Sequence, residues 1–247
     1  MSECSSPNGR LFGVGLGPGD PDLVTVKAMK IIGAVPVAAY FAKKGARGNA
    51  RTILDRWVGE TCLQLPLLYP LTTETHFCEP AYTQELRAFY TEAEGAIAAH
   101  LQAGRDVALV CEGDPLFYGS FIHIFARLKD RFSVEIVPGV TGMSGCWSAA
   151  KTPMAWGDDV LSVLPGTLGR AALVHYLGAA DAVVIIKIGA NLAKIRAAIA
   201  EAGRLSTAIY VEHGTSEAET IVPLAVKTGD HAPYFSSILI PGQGRRP

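Results

Sequence analysis

The sequence predicts an α/β protein of two small domains, the N-terminal one built on a mostly parallel sheet and the C-terminal one on a mixed sheet. Three observations carry this. Short β-rich runs alternate with helical patterns along the whole chain. Two apolar strands run straight into glycine-acid-proline turns, one in "GVGLGPGDP" from Gly13 and one in "CEGDP" from Cys111. The 247 residues, 49% of them hydrophobic, suffice to bury one large core or two modest ones.

Taken in order, "RLFGVGL" reads as a strand that ends in a glycine loop, and "LVTVKAMKIIG" has apolar residues at helical spacing. "VPVAAYF" is a second strand, "RTILDRWV" a short helix and "CLQLPLL" a third strand. "AYTQELRAFYTEAEGAIAAHLQAG" is the clearest helix, with Gly104 as its stop, and "DVALVC" follows as an apolar strand. The second half repeats the alternation less regularly. Strands are expected at "SVEIVPG", "DDVLSVLPG", "DAVVIIKIG" and "STAIYVEHG", and helices at "VTGMSGCWSAA", "RAALVHYLG" and "NLAKIRAAIAEAG". "ETIVPLA" and "YFSSILIPG" read as an antiparallel addition. The boundary is placed after "EGDPLFYG", giving domains 1–119 and 120–247 with a ligand in the cleft between them.

Composition narrows the function. Lys+Arg 22 against Asp+Glu 23 leaves a net charge of -1, a poor basis for gripping duplex nucleic acid through its phosphates. No apolar run reaches the roughly 18–20 residues that span a bilayer. "MSECSSPNGR" has neither the basic region nor the apolar core of a signal peptide. Cys4, Cys62, Cys78, Cys111 and Cys146 are odd in number and form no CxxC pair, so neither a metal site nor a disulfide framework is indicated. The expectation is a reduced, cytoplasmic protein.

The first glycine loop fails the usual nucleotide fingerprints. In G-x-G-x-x-G, the third glycine position falls on Pro18 or on Asp20, depending on the start. The acid expected about 20 residues on, for the ribose hydroxyls, is missing, since no Asp or Glu lies between Asp22 and Asp55. No G-K-[ST] follows, so it is not a phosphate loop of the ATPase kind. Alone, the stretch also fits a structural turn. The second turn changes the balance, because ligands of open α/β sheets sit beyond the carboxyl ends of strands, where two such turns can face one crevice. For Asp114 by itself, a turn or helix-capping role is the ordinary reading.

"VGLGPGDPDLVT", "EGDPLFYGS", "VPGVTGMSGC" and "VEHGTS" occur in this order, and together they resemble the tetrapyrrole methylase family, the S-adenosylmethionine-dependent enzymes of corrin and sirohaem biosynthesis. The resemblance runs from about Arg10 to Gly242. It implies two α/β domains, S-adenosyl-L-methionine in the interdomain cleft, a small-molecule tetrapyrrole substrate and a homodimer; charge and hydropathy argue for no nucleic-acid and no membrane partner. Cofactor contacts are implied at Pro18, at Glu112, Gly113 and Asp114, at Phe117, at Thr141 and Gly142 (where relatives more often carry Thr-Ala), at Ile188 and at Gly214. "YFAKKGARGNAR", "LPLLYPLTTETH", "EGDPLFYGSFIHIFARL" and "MSGCWSAAKTPMAWGDDVLSVLPGT" carry a narrower match to a branch that methylates a meso carbon of a reduced tetrapyrrole.

The chemistry asks little of the protein beyond alignment and exclusion of water. Glu112, Tyr118, His123 and Asp158 are candidate proton acceptors, and none is singled out. The basic run of Lys43, Lys44, Arg47 and Arg51 is a candidate grip for substrate carboxylates, and equally a solvated loop. "LPLLYPLTTETHFCEP" reads as a long loop, covering the substrate or merely connecting. Rival readings are another branch of the same family, acting on a different carbon, on uroporphyrinogen, or on RNA or a translation factor. A different class of rival is a non-catalytic adenine-nucleotide-binding regulatory module. An ordinary oxidoreductase is disfavoured by the missing fingerprint.

Overall fold

The computed structural model describes residues 8–43, 48–70 and 80–244. The chain forms two compact units, residues 1–141 and 142–247.

The first unit holds five parallel strands: β1 (Leu11–Gly15), β2 (Val37–Lys43), β3 (Leu63–Tyr69), β4 (Val107–Cys111) and β5 (Val134–Val137). Their spatial order is β3-β2-β4-β1-β5. A parallel sheet is covered on both faces, which is why its inner strands read as unbroken apolar runs. Leu11, Val37, Ala39, Val107 and Leu109 point to one face. There they meet α3 (Pro80–Gln102) through Phe89, Ile97 and Leu101, and α4 (Phe121–Leu128) through Phe121, Ile124 and Leu128. Val14, Leu16, Ala38, Tyr40, Ala108 and Val110 point to the other face, against α1 (Val26–Ala34) and α2 (Asn49–Leu54). Phe121, Ile124 and Leu128 recur at helical spacing and are fully buried, each contributing about 1.5–3 kcal/mol relative to exposure. The Thr25 hydroxyl accepts from Ala28 N–H at 3.2 Å and so caps α1.

The second unit is a mixed sheet of β6 (Leu161–Pro165), β7 (Ala182–Ile186), β8 (Ile209–Glu212), β9 (Thr220–Pro223) and β10 (Ser236–Ile240), ordered β6-β7-β10-β8-β9. Only β6 and β7 run parallel. α6 (Arg170–Ala179) and α7 (Leu192–Glu201) pack on one face, and α5 (Gly142–Ala149) on the other. The antiparallel closing strands are as expected in type. However, β10 lies between β7 and β8, in the middle of the sheet, rather than at its edge.

The boundary read near Gly119 moves to Thr141–Gly142. Sequence proximity to the second glycine turn suggested a break there, but β5 pairs with β1, and α4 sends Phe121 into the space that Gly13 leaves open. Residues 120–141 are therefore needed to finish the first sheet. Among the described residues, no helix is long and apolar enough to cross a membrane. Cys62, Cys111 and Cys146 are free thiols.

Candidate functional site

The chain's connections diverge at the carboxyl ends of β1 and β4. These strands are neighbours, yet the chain leaves β1 for α1 on one face and leaves β4 for α4 on the other. Ligands of open α/β sheets bind where successive connections diverge in this way. Both glycine-acid turns lie there. Leu16 N–H donates to the Cys111 carbonyl at 2.8 Å, extending the ladder by one residue. Beyond it, Gly113 N–H donates to the Gly17 carbonyl at 2.7 Å and Gly17 N–H returns a bond to Gly113 at 3.4 Å.

The alternating glycines of the opening motif divide between two tasks. Gly13 admits the Phe121 ring, and Gly15 lies against backbone, where a Cβ would stand 2.5 Å from Gly139 N and 2.6 Å from Gly113 O. Gly17 and Gly113, with φ of 78° and 66°, make the turns themselves, in a region most side chains avoid. Pro18 sits half-buried at the tip of the first turn. Gly139, from the loop after β5, is the third member of this junction and was not singled out in the sequence; its close approach to Gly15 and Gly113 is a tertiary fact with no local signal.

The acids of the second turn are already engaged. Asp114 accepts from Leu116 N–H at 2.9 Å and from Gly139 N–H at 3.2 Å, so its carboxylate fixes the turn and ties it to the loop after β5. Glu112 accepts from Ala50 N–H at 3.0 Å in the first turn of α2, whose own capping residue, Gly48, has no side chain to offer. Burial pushes the Glu112 carboxyl above its ordinary range, and the N–H groups of Ala50 and of Glu112 itself hold it back in part.

Phe117 is half-buried, with the Tyr118 ring edge-on at 4.9 Å. Tyr118 has φ 55°, a left-handed conformation held by a residue other than glycine. Two residues on, the Tyr69 hydroxyl at the end of β3 bonds the Ser120 hydroxyl, and the Tyr69 ring packs on Phe41 and Phe89. His123 lies on the Tyr90 ring with centroids 4.4 Å apart, a packing position on α4. Of the basic run, Lys44 and Arg47 lie outside the described residues, as do residues 71–79 of the long loop. Lys43 ends β2 and is exposed. Arg51 is paired with Asp55 one helical turn on, and its guanidinium lies 5.9 Å from the Tyr40 ring centroid.

Thr141 closes the first unit, half-buried. In the second unit, Gly142 opens α5 with nothing within 4 Å of where a Cβ would stand. Ile188 is fully buried in the core between β7 and α7. Its side chain packs within that core, next to the exposed Lys187. Gly214 is buried against α5, where a Cβ would meet Cys146 Sγ at 3.0 Å. His213 and Thr215, on either side, have φ of 48° and 69°. With Lys187 (φ 56°) and Tyr118, four of the five left-handed non-glycine residues among the described residues fall in the motif loops. Such conformations cost on the order of 1–3 kcal/mol each and gather at functional sites. Asp158 is exposed in the turn before β6, where neighbouring Asp159 accepts from Trp156 N–H at 3.0 Å.

Comparison with known proteins agrees along the whole chain. A family model described as Tetrapyrrole (Corrin/Porphyrin) Methylases matches residues 10–228. A precorrin-2 C(20)-methyltransferase of Sinorhizobium sp is 53% identical over 239 residues, covering 97% of this chain and 98% of that protein. A cobalt-precorrin-2 C(20)-methyltransferase of Salmonella typhimurium is 31% identical, covering 94% of this chain and 96% of that one. Among solved structures, a cobalt precorrin-4 methyltransferase superposes with a TM-score of 0.73 at 23% identity, covering 96% of each chain. A uroporphyrin-III C-methyl transferase from Thermus thermophilus, complexed with S-adenosylhomocysteine, gives 0.68 at 22% identity, covering 95% of this chain and 98% of that one. The two likenesses establish the fold, and the family model and the sequence identities go further: this chain belongs to the tetrapyrrole methylase family.

Proposed function

We propose that this protein is an S-adenosylmethionine-dependent C-methyltransferase that methylates the C20 meso carbon of precorrin-2, giving precorrin-3A in cobalamin biosynthesis. The observation that carries the reading is the 53% identity, over 97% of the chain, with a protein named for that reaction. A metal-free substrate is preferred to its cobalt complex because the relative named for the cobalt form is more distant, at 31%. The working form is proposed to be a cytoplasmic homodimer.

The residues present fit such a donor. The junction of Gly15, Gly113 and Gly139 is a backbone-lined bend with no room for side chains, the kind of surface that lets N–H and C=O groups approach a nucleotide closely. The donor, when bound, supplies a methyl group on a positively charged sulfur. Pro18, Gly113, Phe117, Thr141, Gly142 and Gly214 are proposed to line its site. Asp114 and Glu112 belong to it as well, but their carboxylates act on the protein's own backbone, holding the turn in shape. Ile188 contributes through its loop rather than its side chain. The protein's part in the reaction is to align donor and acceptor carbon in line and to exclude water. Lys43, Lys44, Arg47 and Arg51 are proposed to meet the substrate's carboxylates; at Arg51 this exchanges Asp55 for a substrate carboxylate.

Incubation with precorrin-2 and a donor labelled with carbon-13 in its methyl group tests the reading. NMR is expected to place the label at C20, with faster turnover of the metal-free substrate. A label at another carbon, or none, overturns it. Calorimetry with S-adenosylhomocysteine, NADH and ATP tests the donor separately, and a preference for NADH overturns that part. Sedimentation of the full chain tests the dimer.

A further inference from the structure

We propose that Tyr118 is a substrate-binding residue, and that its ring forms with the Leu116 and Ile122 side chains an apolar shelf for the face of the tetrapyrrole macrocycle. The proposal rests on the substrate class put forward above. Three large apolar side chains within seven residues are exposed, Leu116 at 47%, Tyr118 at 43% and Ile122 at 37%. They follow directly on the Glu112–Asp114 turn. Exposed apolar surface gathered in one place marks a binding site more often than isolated exposed residues do.

Backbone conformation makes the argument specific to Tyr118. Its φ of 55° is one that glycine or asparagine adopts readily and tyrosine does not. The next residue is a glycine, yet Gly119 is not the left-handed one; a Cβ there would approach the Pro115 carbonyl at 3.2 Å. Turn chemistry alone places the permissive residue at 118. Core packing does not explain the tyrosine either, since nearly half of it is exposed. A use for the ring at the surface accounts for both its exposure and its backbone angle. Phe117, edge-on at 4.9 Å, fixes its plane. A flat, largely apolar macrocycle is the ligand such a braced ring suits, by stacking or edge contact. The methyl donor, by contrast, is served by the backbone polar groups of the neighbouring turn.

The test is Tyr118→Asn in the full-length protein, beside Tyr118→Phe. Asparagine relieves the conformational conflict, so the melting temperature is expected to hold or rise. Affinity for S-adenosylhomocysteine is expected to stay within about twofold, while KM for the tetrapyrrole rises about tenfold and kcat changes little. Tyr118→Phe keeps the ring, and its KM for the tetrapyrrole is expected to lie well below that of Y118N. A KM for Y118N within about twofold of wild type overturns the proposal. So does a lower melting temperature with equal loss of both ligands, the pattern of a structural residue. If Y118N does not fold, Ile122→Gln on α4 decides: KM for the tetrapyrrole rises several-fold, or the shelf is refuted. A wild-type protein that turns over no tetrapyrrole brings down the functional reading. Normal wild-type turnover with an unaffected Y118N brings down this proposal alone.

Discussion

Gly17 and Gly113 exchange both of their backbone hydrogen bonds, one at 2.7 Å and one at 3.4 Å, and thereby join the ends of two parallel strands by an antiparallel bridge. Parallel neighbours do not ordinarily pair this way. The bridge forms because both chains reverse at left-handed glycines just past the sheet. The junction beneath it is equally exacting, since Gly15 and Gly139 meet backbone to backbone.

Replacing Gly139 with alanine is expected to break that junction. The new Cβ would stand 2.8 Å from Gly15 Cα and 2.9 Å from Gly15 C, with the Gly113 carbonyl closer still. Backbone does not yield as a side chain does, so a loss of about 1–3 kcal/mol is expected, together with weakened binding of S-adenosylhomocysteine. Thermal melts and calorimetry read the two effects, and an unchanged melting temperature would refute the crowding argument.

Glu112 gives a pH signature. Its carboxyl titrates above the ordinary 4.5 in the folded protein, chiefly because it is buried. The folded state therefore keeps the proton longer than the unfolded chain does. Below pH 4.5 the difference has no effect; as pH rises from there through the raised folded value, the wild type loses stability. Glu112→Gln retains an acceptor for Ala50 N–H and removes the charge. Its stability relative to wild type is expected to climb across that window and then level off. Denaturant midpoints from pH 4 to pH 8 measure this, and a flat difference would show that Glu112 ionises without cost.

Gly142→Ala is expected to stabilise the second unit by roughly 0.4–1 kcal/mol. The site opens α5, its φ is not in the left-handed region, and a Cβ there meets nothing within 4 Å. Urea unfolding is the measurement, and a destabilised variant would mean that Gly142 has a conformational role these features do not show.

Arg204→Met tests a single organising side chain. The guanidinium donates to the carbonyls of Leu177, Ala180, Asp181 and Pro241, gathering the end of α6, the start of β7 and the residue after β10. Removing it leaves partly buried carbonyls without their donor. A loss of about 2–4 kcal/mol is expected by chemical denaturation, and a change below about 0.5 kcal/mol, the range of an ordinary surface substitution, would refute it.

Much of the fold was legible because its signals are local. Strand runs such as "DVALVC" are apolar throughout, and helices such as α7, read from "NLAKIRAAIAEAG", repeat their apolar residues at helical spacing. The boundary was misplaced because strand order is not local: nothing in "SVEIVPG" says that it pairs with β1. The central position of β10 was hidden for the same reason. At the site, the two glycine turns were visible, since left-handed turns demand glycine. Gly139, the capping role of Glu112 and the Tyr69–Ser120 bond were not, because each depends on a partner distant in sequence. Ile188 was read by analogy as a cofactor contact; that its side chain sits in the core of its unit has no local signal. Tyr118 was visible only as a titratable side chain, because a backbone angle leaves no mark in a string of letters.

The middle strand of the second sheet is also the last to be made. Until β10 emerges from the ribosome, β6 with β7 and β8 with β9 are two half-sheets without a shared edge. The first sheet has all its strands by Val137 and is free to form during synthesis. Maturation of the nascent chain is thereby ordered in time: the strands of the first sheet are all available before the second sheet can close. A premature stop before Ser236 would yield a chain whose first sheet is complete and whose second exposes unpaired strand edges to aggregation.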